Sequence, residues 1–217
     1  MPEEVEYIFP DYSIYPQYDY AIGFLTRGCV RKCPWCVVPK KEGWIHPVNT
    51  WQNIKRPDSK RILFLDNNVL ACDHGRAQIA EMSGRKDIKI DFNQGLDARL
   101  IDDEMTTLLS RCKWDKYLRM ACDKMKMLPI VSDAAIRLIN KGMHPRKIFV
   151  YVLVQDIEDA LIRIDALNEI GVEVFAQPYR DFDTNTVDPQ AKHFARWVNC
   201  KQIFKTCKWE EYERRII

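Results

Sequence analysis

The sequence predicts an α/β protein, a (βα)6 partial TIM-type barrel of parallel strands with a C-terminal helical segment. Three observations predict it. Short apolar runs rich in Ile, Val, Phe and Tyr alternate with longer stretches whose apolar residues recur at helical spacing. The strand-like runs start roughly 25 to 40 residues apart, the repeat of a strand–helix–parallel-strand unit. A closed eight-unit barrel needs roughly 250 residues, whereas this chain has 217. Its strand-like runs lie within residues 20–178, room for about six units, so an open barrel is expected.

The elements follow in order. Residues 1–19 are rich in Tyr and Pro without a sustained period and read as an extended N-terminal arm. Strand candidates then begin near Tyr20 (YAIGFLT), Arg61 (RILFLD), Ile88 (IKIDFN), Lys116 (KYLRMA), Lys147 (KIFVYVLV) and Val172 (VEVFAQP). Helical stripes lie between them. Residues 102–112 place Met105, Leu108, Leu109 and Cys112 on one side behind an Asp102 cap. Residues 130–141 carry Val131, Ala134, Ala135 and Leu138, and residues 156–170 carry Ile157, Ala160, Leu161, Ile164 and Leu167. Gly142 and Gly171 suit the two stops. These stripes are packing faces. The expected organisation is an arm at 1–19, the barrel at 20–187 and a helical extension at 188–217.

Composition excludes several classes. The net charge is +2, with 47% hydrophobic and 29% charged residues. That is ordinary for a globular chain and unlike a disordered chain, a fibrous repeat or a generally basic nucleic-acid coat. The longest apolar run, Ile148 to Val154, is far short of the roughly 20 residues that span a bilayer. The acidic start, Met1-Pro2-Glu3-Glu4, lacks the basic and apolar regions of a secretory signal. A cytoplasmic location without membrane contact is expected.

Eight cysteines are many for a reducing compartment. Cys72, Cys112, Cys122, Cys200 and Cys207 are scattered, whereas Cys29, Cys33 and Cys36 fall within eight residues. The first strand runs into GFLTRGCVRKCPWC, a C-x3-C-x2-C spacing with Trp35 just before the last cysteine. Thiolates are the ligands that iron–sulfur clusters require. Three of them on one loop can hold three irons of a [4Fe–4S] cluster and leave the fourth open, as catalytic metal sites generally do. A zinc site made by the same cysteines with His46 is the alternative. It would make the protein a non-catalytic metal-binding or scaffold protein.

With this loop after the first strand of a partial barrel, the chain resembles the radical S-adenosylmethionine (radical SAM) superfamily. The run GFLTRGCVRKCPWCVVPKKEG is similar to the cluster segment of uncharacterised members, including ones related to cobalamin-dependent enzymes, although a cobalamin domain of ordinary size has no room here. The resemblance implies that S-adenosyl-L-methionine (SAM) chelates the unique iron. It also implies that a flavodoxin- or ferredoxin-like donor reduces the cluster, and that the resulting 5′-deoxyadenosyl radical abstracts hydrogen from a substrate. Trp35 would shield the cluster or pack near the adenine. SAM contacts are expected at the C-terminal ends of the strands. They are Asp66, Asn67 and Asn68, where the family often has Gly-Gly-Glu; Asn93 and Gln94 after the third strand; Arg119 and Asp123 at the fourth; and Gln177 at the sixth. The sequence offers no catalytic residue beyond these and no substrate motif.

Basic residues flank the loop: Arg27, Arg31, Lys32, Lys40 and Lys41. They form a solvated rim, balance cluster charge, or guide an anionic substrate such as a nucleotide, RNA or phosphorylated metabolite. The tail aromatics Phe194, Trp197, Phe204, Trp209 and Tyr212 are expected to pack a helix on the barrel. A base-stacking role for them is the weaker reading.

Overall fold

The computed structural model describes residues 8–181 and 183–213. The first seven residues of the expected arm and the last four of the expected extension lie outside the described residues. Among the described residues there are eight strands: β1 (Tyr20–Gly23), β2 (Thr26–Arg27), β3 (His46–Pro47), β4 (Arg61–Phe64), β5 (Lys89–Phe92), β6 (Leu118–Ala121), β7 (Ile148–Val154) and β8 (Glu173–Pro178). All six expected strands are among them. The helices are α1 (Val38–Lys41), α2 (Trp51–Ile54), α3 (Asp73–Met82), α4 (Asp103–Arg111), α5 (Leu128–Asn140), α6 (Ile157–Ile170), α7 (Pro189–Asn199), α8 (Lys201–Thr206) and α9 (Trp209–Glu213).

The architecture is mixed α/β with two three-stranded parallel sheets, β1-β4-β5 and β6-β7-β8, and a short antiparallel β2-β3 ribbon. Isolated parallel bridges, Ile90 to Trp114 and Leu96 to Met120, connect the sheets. Among the described residues β1 and β8 are not paired with each other, and no closed barrel forms. No helix among them is long and apolar enough to cross a membrane.

Alternation along the strands sets the layers. In β4 and β6 every second residue is buried, as expected where one face of a sheet carries the helices. Ile62, Phe64, Ile90, Phe92, Leu118, Met120, Ile148 and Val150 point to that side and meet the helix stripes. Phe64 and Phe92 stack with ring centroids 4.9 Å apart. The caps behave as their residue types require. Asp102 accepts from the Met105 N–H at 2.8 Å, and Asp156 from the Asp159 N–H at 2.8 Å. Gly171 ends α6 at φ 87°, which a side chain would oppose.

The tail is three short helices rather than one segment. Phe194, Trp197, Trp209 and Tyr212 are buried in the core, as packing predicted. Asn199 closes the free edge of β8: its Oδ1 accepts from Ala176 N–H at 2.9 Å and its Nδ2 donates to the Ala176 carbonyl at 2.9 Å. At the other end, the Tyr12 hydroxyl accepts from the Ile22 N–H at 2.8 Å and ties the arm to β1.

Arg163 is the largest fully buried polar side chain. From α6 it donates to the carbonyls of Cys122 and Leu153, at 2.5 and 3.1 Å, and pairs with Asp159. It thereby fixes the C-terminal ends of β6 and β7. Replacing it by Leu would strand two buried carbonyls and a carboxylate. Arg163→Leu is expected to cost about 3–5 kcal/mol, read from urea unfolding followed by circular dichroism.

Candidate functional site

All the polar loops at the C-terminal ends of β1, β4, β5 and β6 converge on one cavity of about 470 Å³. Cys29, Cys33 and Cys36 line it from the loop after β1, Asn67 and Asn68 from the end of β4, Gln94 to Arg99 from the end of β5, and Ala121, Asp123 and Lys124 from the end of β6. Four residues expected to serve SAM, Asn67, Asn68, Gln94 and Asp123, therefore do gather around the cysteines, together with Trp35.

Loop placement begins with Asp66, 1% exposed. Its carboxylate accepts from the Leu25 N–H at 3.1 Å, the Thr26 N–H at 2.6 Å and the Thr26 hydroxyl at 2.7 Å. The residue thus holds the departing β1 chain against β4, and does not line the cavity. Burial raises its carboxyl to about 6 despite these donors. Glu42 adds a second clamp. It accepts from the Asn67 amide at 2.6 Å, the Gly28 N–H at 3.2 Å and the Arg27 guanidinium at 3.2 Å. Gly28 at φ 78° completes the turn. A Cβ there would lie 2.5 Å from the Trp44 carbonyl oxygen.

Two N–H groups address the first thiol: the Arg31 backbone at 3.3 Å and the Asn68 amide at 3.5 Å from Cys29 Sγ. The Asn68 Oδ1 is buried without a partner. Behind the thiols lies Asp97. It accepts from Arg31 Nε at 2.9 Å and is gripped by Arg99 at 2.6 and 2.9 Å. Burial raises the Asp97 carboxyl, but the two guanidiniums outweigh it and hold the group below the usual carboxylate range. Burial likewise raises the Cys33 thiol, partly opposed by Arg99. Asp123 is pushed up by burial against the indole N–H of Trp35, which donates to it. Lys124 sits 5.2 Å from the Trp35 ring centroid, a cation–π contact.

Four expected SAM contacts are placed elsewhere. Asp66 is consumed by the β1–β4 junction. Asn93 and Gln177 do not line the cavity, and Gln177 is exposed on β8. Arg119 lies within β6 and pairs with the buried Asp91 on β5. Conversely, Asp97, Arg99, Lys126 and the Glu42 clamp enter the site without being singled out for it. Asp97 meets Arg31 66 residues away and Glu42 meets Asn67 25 residues away, so only an acidic residue near a strand end hinted at Asp97. His46, the fourth ligand of the zinc alternative, is exposed, with Nδ1 3.0 Å from the Trp44 carbonyl, and is not part of the cavity. Among the described residues no group of three or more His, Cys, Asp or Glu side chains is arranged to hold a metal ion. The chain matches no protein-family model and no curated protein.

Two outcomes follow from the loop clamps. Between pH 4 and 6 the folded chain keeps a proton on Asp66 that the unfolded chain releases. Stability should therefore fall by about 3 kcal/mol as pH rises through that window. Urea unfolding at several pH values, compared with Asp66→Asn, which lacks this dependence, checks it. Gly28→Ala should cost about 2 kcal/mol or more, seen as a lower melting temperature, because left-handed backbone strain adds to the clash with the Trp44 carbonyl.

Proposed function

We propose that this chain is a radical SAM enzyme whose six parallel strands form a partial barrel, with Cys29, Cys33 and Cys36 holding a [4Fe–4S] cluster that binds SAM. One observation carries the reading. The three thiols of the C-x3-C-x2-C loop line a single cavity at the C-terminal ends of parallel strands, and no fourth cysteine lines it among the described residues.

The donor set fits such a cluster. Thiols suit iron and sulfide better than hard ions. N–H donors toward Cys29 Sγ and the Arg99 charge acting on Cys33 suit sulfur that would carry charge when bound to iron. A cluster also spreads its three thiolates farther apart than a single ion does. The absence of a single-ion arrangement is thus compatible with it. When bound, the reduced cluster supplies the electron that cleaves SAM.

The chain's own residues bind and orient. Asn68 offers its unpartnered Oδ1 as an acceptor suited to the SAM amino group. Trp35, held by Asp123 and Lys124, gives a flat wall beside the thiols. Arg99 and Lys126 give the cavity cations for an anionic substrate. Lys40 and Lys41 are exposed on α1 after the loop, where an acidic electron donor such as flavodoxin or ferredoxin can approach, whereas Lys32 lines the cavity.

Anaerobic reconstitution with iron and sulfide tests the proposal. After reduction, the EPR spectrum should show a [4Fe–4S] signal that shifts when SAM is added, with release of 5′-deoxyadenosine. Cys33→Ala should abolish both. A chain that retains one zinc and never builds a cluster contradicts the proposal and favours a binding protein without turnover.

A further inference from the structure

The two faces of the β6-β7-β8 sheet differ. One is sealed beneath helices: Leu118, Met120, Ile148, Val150, Val152 and Ala176 are all buried. The other carries Tyr117, Phe149, Tyr151 and Phe175, none of which belongs to the hydrophobic core. Their rings form a continuous patch. Tyr117 and Phe149 lie 5.0 Å apart, Phe149 and Tyr151 5.1 Å, Tyr151 and Phe175 5.9 Å, and Phe149 and Phe175 6.0 Å between centroids. Phe175 is 38% exposed, a large apolar ring presented to water.

Cations crowd one end of this patch. The Lys116 ammonium is 5.1 Å from the Tyr117 ring centroid. Lys201 pairs with Glu173, the residue opposite Phe149 in the β7–β8 register. Even so, burial and then the nearby cations Lys205, Arg146 and Lys116 hold the Lys201 ammonium below the usual lysine range. Lys116, Arg146 and Lys205, from three separate segments, thus lie close enough to act on the Lys201 charge, and Lys201 itself is paired with Glu173. At the other end, Tyr151 stands opposite Ala121, which lines the cysteine cavity.

We infer that this sheet face binds a single-stranded polynucleotide, its bases stacking on Phe175, Tyr151 and Phe149 and its phosphates meeting Lys116, Arg146, Lys201 and Lys205. An exposed ring, Phe175, continuous with half-buried rings on a sheet and set beside a cationic rim, supplies the two components that single-strand binding requires. Aromatic faces accept any unpaired base, and clustered cations track the backbone. A duplex hides its base faces and cannot use the rings. A small anion would need the cations but not four contiguous rings. The inference uses residues separate from the proposed cluster site, since none of the patch's rings or cations lines the cysteine cavity.

Fluorescence anisotropy of the full chain, without added metal, against a labelled oligouridylate tests it at several salt concentrations. Single strands are expected to bind more tightly than a duplex of the same length. Phe175→Ala should weaken binding about tenfold, and Phe175→Trp should restore it. Arg146→Ala and Lys205→Ala should each lower the slope of log affinity against log salt by about 0.7. Thermal melting of each variant separates loss of binding from loss of fold, and the Trp variant keeps the ring if the Ala variant unfolds. No binding, equal binding of duplex, equal competition by inorganic polyphosphate, or indifference to Phe175→Ala would each overturn the inference. So would a dimer in light scattering that Phe175→Ala dissolves, since the face would then be covered by a second copy of the chain.

Discussion

The cysteine loop is held by a buried carboxylate, and the geometry of the whole site depends on that contact. Asp66 sits at the end of β4 and takes two backbone N–H groups and a hydroxyl from Leu25 and Thr26 at the end of β1. Those donors have no other route to satisfaction in a buried junction, so the chain leaving β1 can take only one path. Glu42 repeats the device one layer outward, joining Gly28 to Asn67. The loop therefore arrives over the strand ends with its three thiols facing inward, although α1 and the β2-β3 ribbon give it little regular structure of its own.

A second buried carboxylate links that loop to the next strand. Asp97 bonds Arg31 from the cysteine loop and Arg99 from its own turn, and lies 3.4 Å from the Asn68 amide. The loops after β1, β4 and β5 thus share one ion-paired network. In it the guanidiniums keep Asp97 ionised against the cost of burial, and the Arg99 charge also falls on Cys33. Arg163 performs the equivalent task for β6 and β7 from beneath. Parallel sheets place all these ends on one side, which is why so few contacts organise the cavity.

Much of this was legible in the sequence, for identifiable reasons. The six main strands announce themselves by β-branched and aromatic runs, and α4, α5 and α6 by their stripes and caps. α3 was missed because DHGRAQIAEM carries few apolar residues, no side-chain cap and an internal glycine, Gly75, where a Cβ would lie 2.2 Å from the Val69 carbonyl oxygen. Of the site, the cysteines, Trp35, Asn67, Asn68, Gln94 and Asp123 are gathered as expected. Asp66 and Arg119 were misplaced because polar residues near a strand end look alike in sequence. Which of them faces the cavity and which is taken by another strand depends on pairings some 28 to 41 residues away. The aromatic patch on β6-β8 was hidden for a related reason: Tyr117, Phe149, Tyr151 and Phe175 look like ordinary strand residues until the register puts them side by side.

The proposed site joins three cysteines to one cluster with an open position. Mössbauer spectroscopy of the reconstituted protein, recorded with and without SAM, addresses it most directly. The expected result is a [4Fe–4S] spectrum in which a single iron site changes when SAM is added while the others do not. A spectrum in which every iron is indifferent to SAM, or a protein that takes up no cluster, would contradict it.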